Sequence, residues 1–106
     1  MKPIATNSNY KAAILALPTT DESSFIALAA DVPETINIPK GATIAVIDCG
    51  SNVFVKANDN TFVRPLVSGA ANGARISPTE WAFRDGDTTL TFVTQIPSNV
   101  MVAWYG

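Results

Sequence analysis

Apolar and polar residues alternate with a period of two along much of this chain, and turn-forming residues break the alternation at intervals of roughly 8–12 positions. Glu34-Thr35-Ile36-Asn37-Ile38 puts Ile36 and Ile38 on one face and Thr35 and Asn37 on the other. Thr88-Thr89-Leu90-Thr91-Phe92-Val93 repeats the scheme, with Leu90 and Phe92 set against Thr89 and Thr91. Residues 43–48 are apolar on both faces and read as a central strand. Further strands are predicted at 25–28, 53–56, 79–84 and 100–105, with a short edge strand at 61–63 stopped by Pro65.

The turns suggest how these strands connect. Cys49-Gly50-Ser51-Asn52 predicts that 53–56 pairs back on 43–48. Asp85-Gly86 between alternating flanks is a hairpin signal. Two similar strand, Ile-Pro, strand units occur, one running from Thr35 through Ile38-Pro39 to Val46 and one from Thr91 through Ile96-Pro97 to Val102. Both read as hairpins. Residues 66–78 form a long loop without periodicity, and loops of that length are commonly functional. No segment sustains a period of 3.6. The expected fold is therefore all-β, a single antiparallel β-sandwich or jelly-roll-like domain of seven or eight short strands, spanning residues 23–106.

Residues 1–22 differ from the rest. A polar, Asn/Ser-containing start leads into apolar Ala12-Ala13-Ile14-Leu15-Ala16-Leu17, then a turn-rich break at 18–22. Two readings stand side by side: an extended N-terminal arm that docks through Ile14, Leu15 and Leu17, or an ordinary first strand of the domain. Six apolar residues are too few to span a membrane or to form the core of a signal peptide.

Composition narrows the function classes. Hydrophobic residues make up 47 % of the 106 residues and charged ones 15 %, which argues for a packed core and a largely neutral surface. The net charge is −2, and the seven basic residues are scattered, so no run of phosphates is matched and nucleic acid is disfavoured. No basic amphipathic helix suggests a membrane surface. One cysteine excludes an intrachain disulfide framework.

Chemistry is hard to place. With no histidine in the chain, the Ser-His-Asp and Cys-His arrangements are ruled out and the commonest general base is missing. Cys49 reads as a small apolar residue at a strand end. Asn58-Asp59-Asn60 and Asp85-Gly86-Asp87 offer oxygen ligands, yet neither fits a calcium loop, and both read as turns. Glu80 and Asp85 are a carboxylate pair by default only. No catalytic, cofactor-binding or metal-binding residue is therefore assigned. Trp81 alternates with Phe83 as a strand face should. Trp104 and Tyr105 point to opposite faces, so at most one enters the core and the other meets a neighbouring element or subunit.

A resemblance sharpens this. Residues 30–42 carry a polar strand that ends in Pro39-Lys40-Gly41-Ala42 before an apolar strand. Gly50-Ser51-Asn52-Val53-Phe54-Val55-Lys56 follows, then a Gly/Ser/Asn loop and a proline at 68–78, then the closing strand 96–105. Over about 30–106 this resembles the small β-sandwich virion structural proteins of tailed bacteriophages, of the capsid decoration (cement) type. The resemblance implies a non-enzymatic structural protein made in the host cytoplasm and carried on the capsid surface. It implies the major capsid protein as partner and a homo-oligomer, usually a trimer. Trp104, Tyr105 and Arg75 are the interface residues expected from the domain. Alternatives are a tail, neck or fibre-associated module, or a carbohydrate-binding module using Trp81 or Trp104; an enzyme is the weakest reading.

Overall fold

The computed structural model describes residues 21–50, 52–69 and 72–106. They form eight strands: β1 (Ser23–Leu28), β2 (Glu34–Asn37), β3 (Ile44–Asp48), β4 (Val53–Ala57), β5 (Arg75–Ile76), β6 (Glu80–Ala82), β7 (Thr89–Thr94) and β8 (Ser98–Tyr105). One sheet has the order β1-β8-β3-β6 and the other β2-β7-β4-β5. All strand pairs are antiparallel.

The pairings β1 with β8, β2 with β7, β3 with β6 and β4 with β5 are those of one long hairpin. Rolled up, that hairpin adds the contacts of β3 with β8 and β4 with β7. This is a jelly roll. Its two sheets bury Leu90, Phe92, Val53 and Val55 against Ile26, Leu28, Ala45, Ile47, Val100, Val102, Trp81 and Trp104. Each fully buried apolar side chain contributes about 1.5–3 kcal/mol before entropy is charged. The Trp104 indole N–H, deep in this core, donates to the Ser24 hydroxyl at 3.0 Å.

The roll overturns the expected hairpins. Only the β4–β5 connection stays within one sheet. Residues 53–56 do not pair back on 43–48: β3 lies in one sheet and β4 in the other. The Asp85-Gly86 turn and both Ile-Pro turns likewise cross between sheets. The physical reason is reach. Sheets pack about 10 Å apart, and four residues span up to about 14 Å, so a short turn can close a hairpin or arch over the edge of a sandwich. Turn residues encode the reversal and leave the layer open.

Two further expectations change. Residues 61–63 are not a strand; Phe62 tucks in while Val63 points out. The 66–78 loop contains β5, which pairs with β4. The apolar stretch 12–17 and the 1–22 arm boundary fall at or beyond the edge of the described residues.

Candidate functional site

Antiparallel sheets facing water usually present polar residues outward. Here the outer face of the β1-β8-β3-β6 sheet is largely apolar, with Ser23, Asn99, Asp48 and Glu80 as its polar positions. Phe25 and Ala27 on β1, Met101, Ala103 and Tyr105 on β8, Ile44 and Val46 on β3, and Ala82 on β6 all lie on it. Phe25 and Met101 are directly opposite one another, 61 % and 45 % exposed. The charges on this face are Asp48 and Glu80, on the strands farther from β1.

The other sheet has an outer face of Thr35, Asn37, Thr89, Thr91, Val93, Phe54 and Lys56, and the segment after β4 borders it. Thr91 and Val93 are buried although they point away from the core, and the Thr35 and Thr91 hydroxyls are hydrogen-bonded at 2.8 Å. Phe62 is buried under the Lys56 ammonium, 6.0 Å from its ring centroid. Lys56 also bonds Asp59 at 3.0 Å. Farther along, the Arg64 guanidinium grips Asp31 at 2.8 Å, beyond the end of β1. These pins hold up an apolar ridge: Val63, Leu66 and Val67 are 69 %, 76 % and 84 % exposed.

Electrostatics follow the same contacts. The hydrogen bond from Arg64 holds the Asp31 carboxyl below the usual carboxylate range. Hydrogen bonds from Lys56 and Thr61 do the same for Asp59. Burial, with Asp48 nearby, pushes the Cys49 thiol up, and its Sγ donates to the Pro78 carbonyl at 3.4 Å. A thiol kept protonated at a strand end behaves as packing material.

The sequence-predicted interface residues separate. Trp104 is fully buried, stacked on Phe83 with ring centroids 5.9 Å apart, so it is corrected from interface to core. The reason is its inward parity on β8, alongside Val100 and Val102. Tyr105 points outward at the end of β8 and is also buried. Arg75 is exposed on β5 and lies over the Trp81 ring at 4.4 Å, closing the side of the sandwich. Trp81 is buried too, so neither tryptophan offers a face for stacking on a sugar. Ile14, Leu15 and Leu17 lie outside the described residues.

The two acidic turns meet each other. Asn58, at φ 61°, accepts from the Thr88 N–H at 2.8 Å and donates to Asp87 at 3.0 Å. Asp87 in turn accepts from the Arg84 N–H at 2.9 Å. These oxygens are engaged in tying two connections together, which is the turn role expected of them. Among the described residues no group of three metal-ligating side chains converges.

Phe25, Met101, Val63, Leu66 and Val67 were missed as surface residues. The signal was present for two regions: Phe25-Ile26-Ala27-Leu28 has no polar alternation, and Val63-Arg64-Pro65-Leu66-Val67 places apolar residues around a proline. No protein-family model, curated protein or solved structure matches this chain.

Proposed function

We propose that this chain is a structural protein of a tailed-phage particle, of the capsid decoration type, which acts by docking on the major capsid protein. One observation carries the reading: three of the most exposed large apolar side chains, Val63, Leu66 and Val67, lie within five residues of each other on a segment pinned by the Arg64–Asp31 and Lys56–Asp59 pairs. A pinned apolar ridge loses little conformational entropy on binding, so its burial converts to affinity efficiently. Burying Leu66 and Val67 contributes about 1.5–3 kcal/mol each before association losses. The resemblance over residues 30–106 supplies the capsid as the partner, and Ile14, Leu15 and Leu17 add apolar anchors to the same contact.

Many symmetric copies on one particle make weak single contacts sufficient, because each anchored chain raises the effective concentration of its neighbours' sites. The test is cosedimentation of purified protein with heads that lack it. Wild-type protein binds. Leu66→Asp with Val67→Asp binds at least tenfold more weakly with an unchanged urea midpoint, and removal of residues 1–17 weakens binding further. Wild-type protein that ignores heads and binds purified tails removes the decoration role and selects the tail-module alternative.

A further inference from the structure

Among the described residues this sandwich has four edge strands: β1 and β6 in one sheet, β2 and β5 in the other. Open edges template pairing with other chains, and natural sheets blunt them with charges, prolines or brevity. Three of these edges are blunted. β2 has four residues and Glu34, β5 has two and Arg75, and β6 has three and Glu80. β1 is different. It has six residues, Ser23-Ser24-Phe25-Ile26-Ala27-Leu28, with neither charge nor proline.

The direction of its backbone groups is set by β8. The Trp104 N–H donates to the Glu22 carbonyl, and in the same register Ser24 faces Val102, Ile26 faces Val100 and Leu28 faces Ser98. Antiparallel pairing alternates, so the even-numbered residues bond β8. The N–H and C=O groups of Ser23, Phe25 and Ala27 therefore point out of the sheet. On the same strand Phe25 is 61 % exposed.

We propose that β1 is a self-pairing edge: two copies of the chain join antiparallel through β1 about a two-fold axis at Phe25, making one continuous eight-stranded sheet. The register follows from the backbone. Pairing Phe25 with Phe25 and Ser23 with Ala27 uses all six outward groups. The neighbouring permitted registers, centred on Ser24 and on Ile26, reach past the strand, to Asp21 and to Ala29, whose carbonyl already accepts from the Val32 N–H. Because paired residues share a face, the two Phe25 rings meet on the apolar outer surface, with both Met101 side chains beside them. A strand without charge pairs with its own copy without like-charge repulsion, which is why a second copy is the occupant. The proposal stands whether or not the chain binds capsids.

The full-length protein tests this by sedimentation equilibrium. The expected mass is twice 11.2 kDa. Ala27→Pro places a ring on the free edge and removes an N–H that β8 does not use; it and Phe25→Lys each weaken self-association at least 100-fold while the urea midpoint of the separated chains holds. Val67→Lys leaves the dimer unchanged. Phe25→Cys in a Cys49→Ser background forms a symmetric interchain disulfide, since a hydrogen-bonded pair brings Cα atoms to about 5.5 Å. A single-chain mass at about 100 μM, a trimer, or a dimer indifferent to both edge variants overturns the proposal.

Discussion

Phe92 is the sharpest probe of the roll. It lies on β7, between Glu34 of β2 and Val55 of β4 in the register, and is fully buried. Phe92→Ala removes a ring from a packed centre that cannot collapse around the space, because strands fixed on both sides hold the backbone. The expected loss is about 3–5 kcal/mol. A domain of this size has about 5–15 kcal/mol in total, so the variant is folded but marginal. With a urea m-value of about 2 kcal/mol/M, the midpoint falls by about 2 M, read by tryptophan fluorescence. Phe25→Ala is the matched control: same truncation, outer face, 61 % exposed. Measured dilute enough to separate the chains, it shifts stability by no more than about 0.5 kcal/mol. Equal losses, or a larger loss at Phe25, would refute the assignment of faces, since a one-residue slip exchanges the two sides of a strand.

Other consequences follow from the ridge and the thiol. Arg64→Ala frees the 59–69 segment from Asp31, so limited proteolysis there accelerates several-fold while the urea midpoint hardly moves. Asp31 and Asp59 have folded values lowered from 3.8, so their pairs stabilise the segment fully above that value and lose their effect as pH falls through the lowered ones. Exchange of the Thr61 amide, which donates to Asp59 at 3.1 Å, is therefore constant from neutral pH to about 5 once corrected for intrinsic rates, and loses protection only below 3.8. Cys49, with its thiol pushed up by burial, alkylates far more slowly than a free thiol at neutral pH, and urea restores the ordinary rate. Both tryptophans are buried, so acrylamide quenches native fluorescence weakly, and a response as strong as that of the unfolded chain would contradict their placement.

The existence and approximate limits of most strands were legible in the sequence, because alternation is a local property. Ile36, Leu90 and Phe92 declare their face within five or six residues of chain, and the all-β sandwich class follows from their spacing. The sheet that each strand joins was not legible. Asp85-Gly86 and the two Ile-Pro turns reverse the chain equally well into the same layer or the opposite one, and the choice depends on partners far away in sequence, as when β1 pairs with β8. The same holds for the surface. Phe25 and Ile26 are neighbours of nearly equal apolarity, yet Ile26 is buried and Phe25 exposed, because β8 fixes the register of β1. Trp104 reached the core for the same reason, and Asn58 met Asp87 only because two connections converge at one end of the roll. Local periodicity decides that a strand has two faces; only packing between distant strands decides which face water sees.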